Sequence, residues 1–208
     1  MGDTPRIILA SASPRRRVLL AGTGLEFEVR PAGVDEDLAP GFAPEQAAET
    51  LALRKARAGL LDCGPGECLI IGSDTIVAIG EGPSAQQLGK PADAAEALAM
   101  LAALSGTRHQ VVTGVAVVRS RDQAQITAHE RTWVSMRELG EDEMRAYVDS
   151  GEWQDKAGGY AIQETADRFV TGLEGGGWDN VVGLPVALSM ELLASLGGQD
   201  LADPRSSR

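Results

Sequence analysis

The sequence predicts an α/β fold, and three observations support this class. Short apolar runs typical of buried strands alternate with segments of helical apolar spacing through the first half of the chain. The length of 208 residues suits one α/β domain, or one domain with a small lobe. A hydrophobic content of 43% is ordinary for a soluble globular protein. We therefore expect a single domain over residues 1–208, with frayed ends at 1–5 and 197–208.

The first half is predicted to begin with a strand, a turn and a helix. Residues 7–10 form an apolar run, and Ser13 and Pro14 suit the N-cap and the first position of a helix. The later elements of this half are a helix at 44–61, a strand at 69–72 whose extended pattern resumes at 76–79, a polar turn at 81–87, and a helix that runs from the capping-box pair Asp93 and Glu96 to Gly106.

The second half is predicted to begin with a hairpin. Residues 111–118 suit a central strand, and residues 125–136 form its partner across a turn at 119–123. The remaining elements are a helix at 139–150 with an acidic first turn, short strands around 160–163 and 168–171, a glycine-rich turn at 175–177, and a last helix that ends near 196. No internal repeat and no linker divides the chain.

Charge and composition exclude several function classes. The net charge of −11 and the absence of a basic stripe argue against nucleic acid as a partner. No apolar stretch is long enough to span a bilayer, and the N-terminus lacks the pattern of a signal peptide. Cys63 and Cys68 are too few for a zinc site or a disulfide framework. We expect a cytoplasmic protein with no membrane partner.

The stretch from Ser11 to Arg17 indicates an anion site. The free N–H groups at the start of the predicted helix attract anions, and three arginines stand in its first turn. Because guanidinium groups match phosphate oxygens two at a time, Arg15, Arg16 and Arg17 resemble a phosphate clamp. The alternative is a solvated basic helix start. A compact basic site in an acidic protein favours a small phosphorylated ligand.

Lysine is rare in this chain, which makes the position of each lysine informative. Lys55, Lys90 and Lys156 are the only lysines among 19 basic residues. An ammonium is a compact point charge that fits close to a phosphate, whereas arginine serves as well as lysine for general surface charge. The alternative is that these lysines lie on the surface by chance and extend their ends into solvent.

Asp74 is the best candidate for an acid or a base. It follows the predicted strand at 69–73, and open α/β sheets place their ligand crevices at the carboxyl ends of strands. A carboxylate there can hold a divalent cation or deprotonate a water. The alternative is an aspartate that ends a strand in an Asx-turn. Glu36 is a second candidate metal ligand, or else part of a solvated acidic loop. His109 and His129 are expected to be core or surface residues.

Seven motifs in order resemble the Maf family of nucleoside triphosphate pyrophosphatases, from about Arg6 to Leu196. They are the strings at 9–16, 55–58, 72–75, 89–91, 104–106, 155–163 and 180–185, which read LASASPRR, KARA, GSDT, GKP, LSG, DKAGGYAIQ and NVVGLP. The resemblance implies an elongated mixed sheet flanked by helices, with two lobes and a central cleft, related to inosine triphosphatases. It also implies Mg²⁺ or Mn²⁺ as cofactor and a homodimer.

The resemblance further implies hydrolysis between the α and β phosphates of a nucleoside triphosphate. Asp74 matches the proton acceptor of the family, and Arg15, Thr75 and Gln163 match positions associated with substrate choice. The residues at these positions, Thr75 and Gln163, resemble those of the family branch that acts on dTTP and UTP. The alternatives are another nucleotide, such as 7-methyl-GTP or CTP, and a nucleotide-binding regulator of cell division without turnover. The turn before Lys90 is longer than the usual hairpin of the family.

The two lines of reasoning combine into one expected site, to which the resemblance alone contributes Thr75 and Gln163. The residues expected to bind the nucleotide are Ser11, Arg15, Arg16, Lys55, Thr75, Lys90, Lys156 and Gln163. Asp74 and Glu36 are expected to hold the metal, while Asp74 also activates the attacking water. No covalent enzyme intermediate is needed, since positioning and charge stabilisation are the main requirements of phosphoryl chemistry.

Overall fold

The computed structural model describes residues 5–39 and 41–197, which form a mixed β-sheet with helices on both faces. The strands are β1 (Arg6–Leu9), β2 (Glu28–Val29), β3 (Cys68–Ile79), β4 (Gln86–Leu88), β5 (Arg108–Arg119), β6 (Gln125–Met136) and β7 (Val170–Glu174). The helices are α1 (Pro14–Ala21), α2 (Pro44–Leu60), α3 (Ala94–Leu104), α4 (Glu141–Asp149), α5 (Trp178–Val182) and α6 (Val186–Gly197). Short 3₁₀ helices cover Gly82–Ser84, Ala157–Gly159 and Thr165–Phe169.

Three long strands give the sheet its elongated form. The strand order is β2–β1–β3–β5–β6–β7, and β4 pairs with β3 beside this path. β1 runs parallel to β2 and β3, whereas the other neighbouring pairs are antiparallel. β3, β5 and β6 have 12 residues each and extend through both halves of the molecule. The predicted mixed sheet flanked by helices is confirmed.

The core is divided between two lobes. In the first lobe, α6 covers one face of the sheet through Leu192 and Leu193, and α2 covers the other face through Ala52 and Ala56. In the second lobe, α3 and α4 pack on the far part of the sheet, with Val77, Leu101, Val111, Tyr147 and Phe169 buried among them. Burial of these apolar side chains is the main stabilising contribution to each lobe.

Local sequence signals placed most element boundaries correctly. Ser13 caps α1, since its side chain accepts a hydrogen bond from the Arg16 amide. The Asp93 side chain accepts the Glu96 amide at 2.8 Å at the start of α3. Gly106, two residues beyond α3, has a φ of 68°, a conformation that favours glycine. The hairpin of β5 and β6 is confirmed, although β5 begins three residues earlier than predicted.

The predicted strand around 160–163 is wrong. The chain there leaves the 3₁₀ helix at Ala157–Gly159 and continues through turns, and Gly158 and Gly159 both have a φ of 70°. Three consecutive residues, Tyr160, Ala161 and Ile162, are buried without strand partners among the described residues. Continuous burial of apolar residues is shared by inner strands and by loops packed against a core, so the pattern alone did not separate them. The strand predicted at 168–171 exists as β7, which begins at Val170.

The ends of the chain lie largely outside the residues that the structure describes. Of the residues expected to fray, only Pro5 and Gly197 are described, and Gly197 is the last residue of α6. None of the described helices combines the length and the hydropathy that crossing a bilayer requires.

Candidate active site

One edge of β3 has no strand partner in its middle. β5 pairs along the opposite edge over residues 69–78, whereas β1 covers only 68–71 of this edge and β4 only 77–79. Within the described part of the chain, residues 72–76 therefore leave one side of their backbone unpaired. This interval opens just beyond the carboxyl end of β1, which is where parallel strands commonly meet a ligand. Asp74 and Thr75 lie inside it.

The sequence predicted that the strand is interrupted before Asp74, and the structure corrects this. β3 continues to Ile79 because β5 keeps pairing with it, with Gly114 opposite Asp74 and Thr113 opposite Thr75. Asp74 is therefore a residue within a strand, and the Asx-turn alternative is wrong as well. The crevice exists because β1 ends at Leu9, opposite Ile71, while β3 continues to Ile79.

A cleft of about 700 Å³ lies along this bare edge, between the two lobes. All ten residues assigned to the site from the sequence line it, namely Ser11, Arg15, Arg16, Glu36, Lys55, Asp74, Thr75, Lys90, Lys156 and Gln163. With Asp155, the lining holds five basic and three acidic side chains, so the cleft is basic within a protein of net charge −11.

Asp74 and Glu36 share the ammonium group of Lys55. Lys55 Nζ lies 2.5 Å from Asp74 Oδ1 and 2.7 Å from Glu36 Oε1. Glu36 Oε2 lies 3.4 Å from Lys90 Nζ, so the four side chains form a chain of alternating charge. Burial by itself would raise the pKa of Glu36, but the hydrogen bond from Lys55 and the two ammonium charges hold that pKa below its usual value. Glu36 is therefore ionised at neutral pH and belongs to the site.

Two glycines allow α2 to approach the sheet closely enough for Lys55 to reach Asp74. A Cβ on Gly72 would lie 2.1 Å from the carbonyl oxygen of Ala52 in α2. A Cβ on Gly114 would lie 2.3 Å from the carbonyl carbon of Ala48. A side chain at either position would push the helix away from the strands, so the short helix–sheet distance requires glycine at both.

The start of α1 forms part of the cleft lining. Ser11 is only 5% exposed, and its Oγ accepts the Ser13 amide at 3.2 Å. Arg15 and Arg16 line the cleft, whereas Arg17 is exposed and is not among the described lining residues. The predicted clamp of three arginines is therefore wrong for Arg17, because successive residues of a helix point about 100° apart.

Arg16 is held in one orientation by protein groups. Its Nε donates to the carbonyl of Gly183 at 2.8 Å, and one terminal nitrogen donates to Thr75 Oγ1 at 3.1 Å. The other terminal nitrogen lies 3.5 Å from Ser11 Oγ. Burial lowers the pKa of Arg16 and the charge of Asp74 opposes this change, and a guanidinium stays protonated in proteins. These contacts use three of its five N–H groups, which leaves two for a ligand.

The motif at 180–185 supplies the support for Arg16. The Gly183 carbonyl also accepts a hydrogen bond from Ser73 Oγ at 2.9 Å, so this carbonyl ties the motif to β3 as well. Gly183 has a φ of 120°, and a Cβ there would lie 3.2 Å from Thr75 Oγ1 and 3.3 Å from Arg16 Nε. The sequence marked the motif but assigned none of its residues, because these contacts join positions far apart in the chain.

The segment after α4 brings Lys156 and Gln163 to the cleft. Lys156 is 9% exposed, and its ammonium donates to the carbonyl of Glu152 and lies 3.6 Å from the carboxylate of Glu164. The Gln163 amide makes no hydrogen bond with any described residue. In this structure the Lys156 ammonium is thus bound to acceptors of the protein at the cleft wall, whereas the Gln163 amide is available to bind a ligand.

Tyr160 is a lining residue to which the sequence gave no role. Its hydroxyl lies 2.8 Å from Nε2 of His109 behind the cleft wall. His109 is fully buried, and burial lowers its pKa to about 4, so its ring is neutral at pH 7. His109 is a core residue, as predicted, and His129 pairs with Glu49 at 2.6 Å nearer the surface. The place of Tyr160 inside the motif at 155–163 was the available signal.

No cluster of three or more His, Cys, Asp or Glu side chains occurs in residues 5–39 and 41–197 that could hold a metal by itself. The two carboxylates on Lys55 are oxygen donors close to each other, and Mg²⁺ is commonly held by one or two carboxylates together with phosphate oxygens of a substrate. Asp74 and Glu36 therefore fit the share of a magnesium site that a protein supplies.

Comparisons with known proteins identify the family of the chain. A family model described as Maf-like protein matches residues 6–196. Similar proteins named dTTP/UTP pyrophosphatase come from Pelotomaculum thermopropionicum, with 47% identity over 92% of this chain and 96% of the relative, and Moorella thermoacetica, with 46% identity over 92% and 95%. A solved nucleoside-triphosphatase / dITP/XTP pyrophosphatase from Mycobacterium abscessus shows 18% identity and a TM-score of 0.38, covering 64% of this chain and 75% of that one.

Proposed function

The chain belongs to the Maf family, and from this membership we propose that it hydrolyses dTTP and UTP to the nucleoside monophosphate and pyrophosphate. The relatives that are 47% and 46% identical carry the name of this activity and align over nearly their whole length. The observation that carries the proposal is the Asp74–Lys55 pair at the bare edge of β3, inside a basic cleft.

The cations of the cleft bind the triphosphate. Arg15, Arg16 and Lys90 line the cleft, and Arg16 keeps two N–H groups for the phosphates. Their charges offset the negative charge of the phosphates, and this attraction is stronger in a partly enclosed cleft than in bulk water. Lys156 joins them once its ammonium leaves the carbonyl of Glu152. The result is a bound triphosphate with its α-phosphorus near Asp74.

Asp74 acts as the proton acceptor. Its Oδ1 is fixed by Lys55, and its Oδ2 makes no hydrogen bond with a described residue. Oδ2 accepts a proton from a water whose oxygen forms a bond to the α-phosphorus. The bond from this phosphorus to the oxygen that bridges to the β-phosphate breaks, and pyrophosphate leaves. Lys55 keeps the carboxylate in place throughout, since both side chains are only 10% exposed.

A divalent cation, Mg²⁺ or Mn²⁺, completes the proposed site, with Asp74 and Glu36 as the protein residues that hold it. When bound, it neutralises charge on the phosphate oxygens. Hydrolysis should therefore stop when the cation is removed with a chelator and return when Mg²⁺ is added.

Gln163 is the residue proposed to recognise the base. An amide offers both donors and an acceptor, which match the N3–H and the carbonyl groups that uracil and thymine share. Cytosine presents an unprotonated N3 and an amino group, so one contact would be mismatched at a cost of about 1–3 kcal/mol. Thr75 does not compete for this role, because its hydroxyl already contacts Arg16 and Thr113.

Release of pyrophosphate from a panel of nucleotides tests the function. We expect the highest kcat/KM for dTTP and UTP, with lower values for CTP, ITP and 7-methyl-GTP. Faster hydrolysis of 7-methyl-GTP or ITP would replace the pyrimidine assignment with a purine one. Binding of these nucleotides without any turnover would instead support a regulator that senses nucleotides.

We also propose that the protein forms a homodimer and acts in the cytoplasm. Light scattering after size-exclusion chromatography tests the first expectation, and cell fractionation tests the second. A monomer at micromolar concentration, or a membrane-bound fraction, would contradict them.

A further inference from the structure

We propose that Thr113, a residue outside the cleft, positions Arg16 for catalysis through the hydroxyl of Thr75. The inference rests on the proposed function, since it adds a positioning residue to that reaction. Thr113 lies in β5 directly opposite Thr75, is fully buried, and is not among the described residues that line the cleft. It can therefore influence a bound nucleotide only through the groups that it contacts.

The direction of each hydrogen bond in this chain follows from the supply of protons. Thr113 Oγ1 donates its only proton to the carbonyl of Asn180 at 2.8 Å. The amides of Gly183 and Leu184, which would reach the Asn180 carbonyl in a longer helix, both donate to Asp179 instead. Thr113 is thus the donor that satisfies the buried Asn180 carbonyl.

Thr75 must then be the donor in its contact with Thr113. The two hydroxyl oxygens are 3.0 Å apart, and the proton of Thr113 is already committed. Since the Thr75 proton points to Thr113, its lone pairs face the other way and accept Arg16 at 3.1 Å. The hydrogen bonds therefore run in one direction, from Arg16 through Thr75 and Thr113 to Asn180.

The far end of this chain is fixed. Asn180 is fully buried, and its amide nitrogen donates to Thr132 Oγ1 at 2.8 Å and to the carbonyl of Val111 at 3.1 Å. These bonds hold the residue against β5 and β6, so the carbonyl that receives the Thr113 proton does not move. Arg16 is consequently aligned by two rigid acceptors, Thr75 on β3 and the Gly183 carbonyl.

Removing the hydroxyl of Thr113 should loosen Arg16 without changing the cleft lining. Thr113→Val keeps the shape of the side chain, but Thr75 loses its acceptor and is free to turn its proton toward Arg16. We expect kcat for dTTP to fall by roughly tenfold, the usual effect of losing one hydrogen bond in a charged site. KM should change less, because the other cations still bind the ground-state triphosphate.

A double-mutant cycle with Thr75→Val separates positioning from a general structural effect. If the chain acts as one unit, Thr75→Val/Thr113→Val should lose about as much kcat as either single variant. Thr113→Ser, which restores the hydroxyl, should recover most of the activity. Ser189→Ala is the control, since it removes another fully buried hydroxyl, which donates to the carbonyl of Pro185 and takes no part in the hydrogen bonds from Arg16 to Asn180. If Thr113→Val does not fold, Thr113→Ala carries the same test.

The outcomes distinguish this inference from the proposed function. Normal wild-type turnover with an unchanged kcat in Thr113→Val overturns the inference alone. So does a double variant whose losses multiply, or an equal loss in Ser189→Ala. If the wild-type protein prefers another nucleotide of the panel, the proposed substrate is wrong and the cycle is measured with that nucleotide. Absence of turnover with every nucleotide overturns both.

Discussion

Among single residues, Asp74 gives the sharpest prediction. In Asp74→Asn the amide oxygen still accepts from Lys55, so the fold should persist while the proton acceptor is lost. We expect kcat for dTTP to fall by about 10²–10⁴-fold, the contribution typical of a general base. Pyrophosphate release and a thermal melt measure both effects. Asp62→Asn, which changes an exposed aspartate outside the cleft, is the control. A folded Asp74→Asn protein with near-normal turnover would contradict the assignment.

Gln163 makes a second prediction at this scale. Gln163→Glu removes the amide donors and adds a negative charge beside the carbonyl groups of the base. We expect kcat/KM for dTTP and UTP to fall by roughly 5- to 150-fold, which corresponds to about 1–3 kcal/mol. The residue is in a turn and half-buried, so the melting temperature should change little. Equal kcat/KM in both proteins would remove Gln163 from base recognition.

His109 predicts a loss of stability in mild acid. The unfolded chain takes up a proton at this residue below its ordinary pKa of 6.5, whereas the native ring stays neutral down to about 4. The contribution of the buried neutral ring to the free energy of unfolding is therefore complete above pH 6.5 and is lost as the pH falls from 6.5 to 4. At pH 5 the loss is about 2 kcal/mol.

Urea unfolding at pH 7 and pH 5 measures this contribution. The wild-type protein should lose more free energy of unfolding between these values than His109→Gln does, and effects of other titrating groups cancel in the difference. His129→Gln, which changes the more exposed histidine, is the control. This variant should keep the loss of unfolding free energy that His109 causes between pH 7 and pH 5. Identical pH dependence in the wild type and His109→Gln would show that folding does not lower the pKa of His109.

Among the elements, the contact of α2 with β3 is the most constrained. Gly72→Ala would place a Cβ 2.1 Å from the Ala52 carbonyl, so α2 must move. Overpacking of this kind costs about 1–3 kcal/mol, and the same displacement withdraws Lys55 from Asp74. We expect a lower melting temperature together with a loss of kcat. Gly172→Ala is the matched control, since a Cβ on this strand glycine meets nothing within 4 Å. Unchanged activity in Gly72→Ala would separate helix packing from the site.

The sequence predicted the helix ends, which depend on nearby residues, but it did not predict the extent of β3, which depends on pairing with a distant strand. The Ser13 cap and the Asp93 cap are local, and both were located correctly. The continuation of β3 through Asp74 depends on β5, which is more than thirty positions further along the chain. Likewise, the contact of Thr113 with Thr75 depends on strand register, and the contact of Tyr160 with His109 depends on packing within the second lobe. The charged residues of the cleft were found because rare lysines and short motifs mark them locally.

For the whole molecule, the distribution of charge predicts which polyanions compete with the substrate. The net charge of −11 repels long polyanions, whereas the cleft has five basic and three acidic side chains. Tripolyphosphate should therefore inhibit dTTP hydrolysis, and single-stranded poly(dT) in large excess should not. Steady-state rates at low ionic strength, where such effects are largest, provide the measurement. Inhibition by poly(dT) under these conditions would indicate a nucleic-acid surface that the charge pattern does not show.

The bare edge of β3 also bears on self-association. An exposed strand edge is a template on which another chain can add a strand and begin to aggregate. Here β1 and β4 flank the bare interval at 72–76, so an incoming strand would meet both before it could extend its ladder. The protein can therefore leave peptide groups unpaired beside Asp74 and remain protected from edge-to-edge polymerisation.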